Sequence, residues 1–299
     1  MRRLAAAVAI AALALTGCTA TPPAPSPTPM AITDAANLIG FWTVDDSFSD
    51  EESILRIDND EIAEWSDCGV RTGQWNARGA LIALLFTDSD VRCGDSVVAS
   101  YLSSYSALFS SWRTATNTFN PVDADTYELI GKKGEVLATL TRGAKPPKSE
   151  GIDAGLYVTP IAAADATTRF ASLPPLVSNG LPLAIRPGTY TPQGGDTITK
   201  ITQLDTVPHV RFYENSFVGL DECGNAVNGV WSFEGSSILT LVSNESRSSC
   251  ESMALYEWLS SAARVGETDP GLLLLDETGE LVVKLDLDLE PGYSTVFVD

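Results

Sequence analysis

Apolar and polar residues alternate along several short segments, which is the pattern of β-strands with one buried face. SILRI (Ser53–Ile57) and HVRFY (His209–Tyr213) alternate in this way. The runs ALIALLF (80–86) and SILTLV (237–242) are continuously apolar and rich in Leu or β-branched residues. The pattern therefore predicts a chain that is mainly β.

Two glycine-containing segments predict tight turns between strands. GKKGE (131–135) and DETGE (276–280) each lie between two strand-like runs. Glycine adopts positive φ at low cost, so both segments favour β-hairpins.

A helical spacing occurs twice, with apolar residues at i, i+3, i+4 and i+7. One set comprises Leu255, Trp258, Leu259 and Ala262. The other comprises Tyr105, Leu108, Phe109 and Trp112. We expect two amphipathic helices that pack their apolar faces on a sheet.

The two halves of the chain resemble each other. ILRIDNDEIAEWSDCG (Ile54–Gly69) aligns without a gap on HVRFYENSFVGLDECG (His209–Gly224). TGQWNARGALIALLF (Thr72–Phe86) then resembles NGVWSFEGSSILTLV (Asn228–Val242), and both include a Gly-x-Trp motif. A two-copy repeat of this length indicates duplication of a whole domain rather than a solenoid unit. The predicted fold class is β-rich α+β, with two similar antiparallel β-barrel-like or curved-sheet domains, each with one amphipathic helix.

The N-terminus has the features of an export signal. MRR is followed by LAAAVAIAALAL, an apolar run of 12 residues that is too short for a stable transmembrane helix. LTGC (Leu15–Cys18) resembles a bacterial lipobox. The resemblance implies cleavage before Cys18 and a diacylglyceryl group on its sulfur, so that lipid anchors the chain outside the cytoplasm. The alternative is an ordinary signal peptide in which Cys18 has no such role.

The segment after Cys18, TATPPAPSPTP, is uncharged and rich in proline, which favours an extended stalk. The prolines between the two copies indicate a linker or an extension. The predicted organisation is a signal peptide (1–17), a stalk (18–34), a first domain (35–143), a linker or extension (144–186) and a second domain (187–299).

The composition fits folded domains, since 44% of residues are hydrophobic and 19% are charged. The net charge is -20, and loss of Arg2 and Arg3 with the signal peptide would make it -22. Such a surface repels nucleic acid, so we expect no nucleic-acid partner. The acidic runs, such as DDSFSDEE (Asp45–Glu52), are expected to be solvated loops, with cation binding as the alternative.

Four cysteines remain when Cys18 is assigned to lipid. An even number in an exported chain favours disulfides, and four cysteines allow three connectivities. The repeat favours pairing within each copy, Cys68 with Cys93 and Cys223 with Cys250. Reactive thiols are the alternative, but a low thiol pKa needs nearby cations, and the local neighbours are acidic.

The second copy resembles the META domain, the module of HslJ-type heat-shock lipoproteins. The resemblance lies in FVGLDECGN, NGVWSFEGSSILTL, a later cysteine, the helix ALYEWLSSA and the hairpin LLLLDETGELVVKL. Cys-Gly-Asn replaces the Cys-Asn of the family, and tryptophan replaces its tyrosine. The resemblance implies a small β-rich fold with one helix, an envelope location, a link to stress and no known catalytic residues.

Catalytic signatures are scarce. The single histidine, His209, aligns with Ile54 in the repeat, so a Ser-His-Asp or Cys-His site is not indicated. We expect no cofactor, no metal site and no enzymatic activity. Asn225 has no counterpart in the first copy, and Trp75 and Trp231 are the candidate ligand-facing aromatics.

The sequence therefore predicts a non-enzymatic envelope lipoprotein with a binding, structural or stress-related role. Its membrane contact would be the lipid on Cys18, and its protein or small-molecule partner is unidentified. The alternatives are a β-barrel module that carries a small ligand and a carboxylate-dependent hydrolase.

Overall fold

The fold comprises two antiparallel β-barrels that follow each other in the chain. The computed structural model describes residues 34–48, 52–67, 69–91, 111–174, 188–192, 208–221, 225–243, 254–268 and 271–287. All five cysteines lie outside these residues, as does most of the first predicted helix. The predicted fold class of two similar antiparallel β domains is confirmed.

The first barrel closes through eight strands, each of which pairs with the next, and β8 pairs with β1. The strands are β1 (Gly40–Asp46), β2 (Ser53–Ile57), β3 (Glu61–Ser66), β4 (Gly69–Arg78), β5 (Leu81–Val91), β6 (Thr116–Pro121), β7 (Thr126–Gly131) and β8 (Val136–Arg142). The seam between β5 and β6 is a single pair, Leu81 with Thr118.

The second barrel repeats this order. Its strands are β9 (Gly188–Pro192), β10 (His209–Phe212), β11 (Ser216–Leu220), β12 (Ala226–Glu234), β13 (Ser237–Ser243), β14 (Arg264–Thr268), β15 (Gly271–Leu275) and β16 (Leu281–Leu287). The narrow seam recurs as one pair between β13 and β14, and β16 pairs with β9.

The described residues include three short α-helices beside the strands: α1 (Trp112–Ala115), α2 (Ala166–Arg169) and α3 (Ala254–Ser261). Helix α3 confirms the second predicted helix, with Leu255 and Leu259 buried in the core. The first prediction is wrong at its end: Ser111 is extended, with φ -112° and ψ 154°, so Trp112 begins a helix instead of ending one. Residues 105–110 of that prediction lie outside the described residues.

The Gly-x-Trp motif has the same structural role in both barrels. Trp75 donates its indole N–H to the backbone oxygen of Asp58 at 2.6 Å, at the β2–β3 turn. Trp231 donates to the backbone oxygen of Tyr213 at 3.1 Å, at the corresponding β10–β11 turn. Each tryptophan thereby fixes a hairpin from inside the barrel core.

The glycine of the motif allows two strands to approach closely. A Cβ on Gly73 would lie 2.1 Å from the backbone oxygen of Leu85, and one on Gly229 would lie 2.0 Å from that of Leu241. No side chain fits at these distances, so glycine is required in both copies for a steric reason.

The segment after β8 packs on the first barrel. A 3-10 turn (Ala154–Tyr157) places Tyr157 against Trp65, with 5.9 Å between ring centres. Phe170, just after α2, is buried against Trp75 with 4.9 Å between ring centres. Up to Phe170 the region between the copies therefore packs as an extension of the first barrel, whereas the backbone oxygen of Pro174 accepts a hydrogen bond from Arg264 of the second barrel at 2.5 Å.

Apolar residues on the outside of β5, β12 and β13 join the two barrels: Leu81, Ala83, Val230 and Leu239 form one buried cluster. Side chains around the cluster bond to backbone atoms of the other barrel. Arg78 donates to the backbone oxygen of Ile238 at 2.8 Å, and Ser232 donates to that of Ile82 at 2.6 Å. This combination of apolar burial and hydrogen bonding fixes the relative position of the barrels.

Candidate functional site

The candidate site is a pocket of about 470 Å³ on the outside of the first barrel, named the basic pocket below. It lies between the start of β1, the end of β8 and the segment that follows β8. Its cations are Arg142, Lys145 and Lys148. Ligand pockets are typically ~300–1,000 Å³ in volume, so the basic pocket has the size of a small-molecule site.

Aromatic rings form one wall of the basic pocket. Phe41 and Tyr157 line it, and Trp65 lies between their rings at 6.3 and 5.9 Å, respectively. The hydroxyl of Tyr157 accepts a hydrogen bond from the backbone N–H of Ser149 at 2.9 Å. This bond connects the segment that follows β8 (residues 143–160), called the covering segment below, to the aromatic wall.

Arg142 is the fixed cation of the basic pocket. Its guanidinium lies 4.2 Å from the centre of the Trp42 ring and donates to the backbone oxygen of Asn37 at 2.5 Å. Asp125, which is exposed, approaches it at 3.5 Å. Residues before β1, within β1 and before β7 therefore hold this charge in place.

Lys145 and Lys148 differ from Arg142 because no carboxylate among the described residues pairs with them. Both ammonium groups are therefore available to a ligand, in a chain whose net charge is -20. A local cluster of positive charge in such a chain concentrates anions at the pocket.

A second cavity of about 410 Å³ lies between the barrels. Its charged lining residues are already paired: Arg78 with Glu277 at 3.2 Å, and Arg169 with Asp60. Burial also lowers the pKa of Arg78. The charges of this cavity are used within the protein, so it is the weaker candidate for a ligand site.

The interior of the first barrel holds a buried ion pair near α1. Arg113 donates from Nε to Glu64 at 2.6 Å and from Nη2 to the other carboxylate oxygen, while Ser53 donates to Glu64 at 3.0 Å. Glu64 is only 1% exposed. The pKa of Arg71 is lowered by burial and by the neighbouring Arg113. The hydrogen bonds of Glu64 are satisfied inside the barrel, which indicates a structural role.

The two candidate ligand-facing aromatics lie in the barrel cores. Trp75 and Trp231 are each 3% exposed. Trp75 also borders the cavity between the barrels. Trp231 stacks on Phe233 and faces Lys132 of the first barrel. A direct ligand contact by either ring stays a prediction.

Asn225 is hydrogen-bonded to Asp221. Its backbone N–H and its side-chain amide each donate to the carboxylate of Asp221 at 2.7 Å, and both residues are buried. His209 lies in β10, as its strand pattern predicted. The lipidation site Cys18 and the four disulfide candidates Cys68, Cys93, Cys223 and Cys250 lie outside the described residues.

Sequence reasoning missed the basic pocket because its residues are distant in the sequence. Some lie at the start of the first strand of the barrel, and the others lie at and after the end of its last strand. A signal was present in RGAKPPK (142–148), where three cations fall within seven residues of a strongly acidic chain. The pairing of β1 with β8, which brings Trp42 opposite Arg142, could not be inferred from that segment alone.

No known protein family, curated protein or solved structure matches this chain. Among the described residues, no helix has the length and hydrophobicity needed to cross a membrane.

Proposed function

We propose that the protein is a non-enzymatic lipoprotein of the bacterial envelope that binds a ligand outside the cell membrane. In this proposal Cys18 bears the lipid, residues 18–34 form the stalk, and two META-like barrels form the binding part. A β-barrel fold is compatible with a binding or structural module. The observation that carries the binding role is the basic pocket, with two lysines that have no ion pair among the described residues.

The position of the basic pocket agrees with a role close to the membrane. Ile39 and Gly40 line it, and they lie five and six residues beyond the end of the predicted stalk at residue 34. An extended stalk spans about 3.1 Å per residue, so residues 18–34 would hold the pocket within roughly 50 Å of the lipid. A ligand at or near the membrane surface would therefore be within reach of the protein.

A ligand-carrying barrel remains the alternative, but its ligand would be expected inside the barrel. The first barrel is filled by large side chains, including Trp42, Trp75 and Trp112, all buried in one core cluster. This packing favours a site on the outside of the wall. The hydrolase alternative is weaker, because the carboxylates that line the second cavity are held by arginines and are poorly placed to transfer protons.

The anchor is tested by metabolic labelling with an alkyne fatty acid in a bacterial host. Wild-type protein should acquire the label, and globomycin, which blocks the lipoprotein signal peptidase, should leave the precursor uncut. Cys18→Ala should abolish labelling, whereas the neighbouring Thr19→Ala should retain it. Label on the Cys18→Ala protein, or an unlabelled wild type, would reject the anchor.

A further inference from the structure

We propose that the basic pocket binds a small amphiphilic anion, meaning a compact apolar group that bears a carboxylate, sulfonate or phosphate. This inference deepens the binding role proposed above and rests on it. It names the chemical class of the ligand, which follows from the two kinds of surface that meet in the pocket.

The apolar part of the ligand would lie on the aromatic and proline wall. Phe41 and Tyr157 offer ring surface, and Pro146 and Pro160 lie in the covering segment. Rigid side chains of this kind lose little conformational entropy when a ligand binds. A strongly hydrated inorganic ion would gain nothing from them, so the wall favours an anion with an apolar group.

The charged part would meet the cations. Arg142 is held by backbone oxygens, by Trp42 and by the exposed carboxylate of Asp125, so it provides a positive charge that is fixed in position. Lys145 and Lys148 have no partner carboxylate among the described residues and can move toward an anion. Hydrogen bonds between charged groups are roughly twice as strong as neutral ones, so these three cations would orient the ligand.

The test uses two fluorescent probes that differ in charge. 8-Anilinonaphthalene-1-sulfonate is an amphiphilic anion, and N-phenyl-1-naphthylamine is its neutral counterpart. The folded wild-type protein should bind the sulfonate at one site and more tightly than the neutral probe. Because the attraction is electrostatic, added salt should weaken binding of the sulfonate and leave the neutral probe unaffected.

Variants then place the probe. Lys145→Ala/Lys148→Ala should weaken sulfonate binding by about tenfold or more, since both charges lie at the pocket. Lys133→Ala/Lys284→Ala removes the same charge elsewhere and should leave binding unchanged. Thr159→Trp, an exposed position in the pocket lining, should block both probes by filling the space.

Equal binding of the two probes, or equal effects of the two double-lysine variants, would overturn the inference. So would the absence of sulfonate binding to a wild type with an intact near-ultraviolet circular dichroism spectrum. These outcomes are distinct from a failed anchor, because lipid labelling of Cys18 does not depend on the pocket. If labelling fails while the sulfonate binds, the envelope role falls and the ligand class stands.

Discussion

The ammonium group of Lys132, on the β7–β8 turn of the first barrel, lies 3.2 Å from the centre of the Trp231 ring in the second barrel. It also donates a hydrogen bond to the backbone oxygen of Glu214. Phe233 stacks on Trp231 at 5.2 Å between ring centres. Two consecutive lysines of one turn thus contact the second barrel, because Lys133 pairs with the Glu214 carboxylate at 3.2 Å.

This contact predicts that the stability of the protein depends on the protonation of Lys132. Burial lowers the pKa of Lys132 to about 7, although the Glu214 carboxylate opposes the shift. An unfolded lysine has its ordinary pKa of about 10.4, so between these values the unfolded chain binds a proton that the folded chain has released. The free energy of unfolding should therefore rise with pH, by up to about 1.4 kcal/mol per pH unit.

Lys132→Met isolates this contribution, because methionine can pack on the aromatic pair without titrating. Denaturant unfolding at pH 6, 8 and 9.5 should show a smaller rise in stability for Lys132→Met than for the wild type. Lys133→Met, whose side chain is 78% exposed, should follow the wild-type curve. Parallel curves for wild type and Lys132→Met would contradict the prediction.

The buried pair of Glu64 and Arg113 predicts a second effect on stability. Arg113→Met leaves the Glu64 carboxylate buried with Ser53 as its remaining hydrogen-bond donor among the described residues. Removing one partner of a buried ion pair typically costs about 3–5 kcal/mol. Urea unfolding of Arg113→Met should show a loss of this order.

The double variant Glu64→Gln/Arg113→Met supplies the control for that pair. A neutral glutamine no longer carries a buried charge, so the double variant should be more stable than Arg113→Met alone. If the double variant is no more stable than Arg113→Met alone, the two residues do not act as a pair and the assigned role is wrong.

The repeat explains why so much of the fold could be predicted from the sequence. Residues that fix the fold locally recur in both copies: Gly73 and Gly229 at the close strand approach, Trp75 and Trp231 at the hairpin. Barrel closure depends on β1 meeting β8 across the whole domain. The alternation of apolar and polar residues does not indicate whether the first and last strands pair. The sequence therefore predicted either a barrel or a curved sheet.

The basic pocket was not predicted from the sequence, for a related reason. Lys145 and Lys148 lie in a proline-rich segment that has no strand or helix pattern. Their importance depends on Tyr157 docking that segment against Trp65, which is a tertiary contact. Trp231 is recognisable in the sequence from its Gly-x-Trp motif. Its contact with Lys132 could not be predicted, because Lys132 belongs to the other barrel.

The pairing of β4 with β5 bears on the predicted disulfides. Gly69 pairs with Val91, and these residues stand one and two positions from Cys68 and Cys93 in the chain. We therefore predict a Cys68–Cys93 bond, and by the repeat a Cys223–Cys250 bond. Each would close a loop of roughly 26 to 28 residues and stabilise the fold by about 3 to 4 kcal/mol in the chain-entropy model.

Peptide mapping without reductant should recover the two linked pairs from exported protein, and reduction should release all four peptides. Reduction should also lower the midpoint of denaturant unfolding. A bond between Cys68 or Cys93 and either cysteine of the second copy would contradict this pairing.

Asn117 predicts how strongly the two barrels depend on each other. Its side chain donates to the backbone oxygen of Phe233 at 3.1 Å and accepts from the backbone N–H of Phe233 at 2.9 Å. Asn117→Ala would leave both backbone groups unpaired at a half-buried site, which should cost about 1–3 kcal/mol.

Asn120→Ala, on the exposed side of the same strand, is the matched control and should change stability little. Hydrogen exchange at the Phe233 amide should accelerate in Asn117→Ala and not in Asn120→Ala. Unchanged exchange at that amide would contradict the prediction and show that the apolar cluster of Leu81, Val230 and Leu239 and the other contacts between the barrels hold this region without the Asn117 bonds.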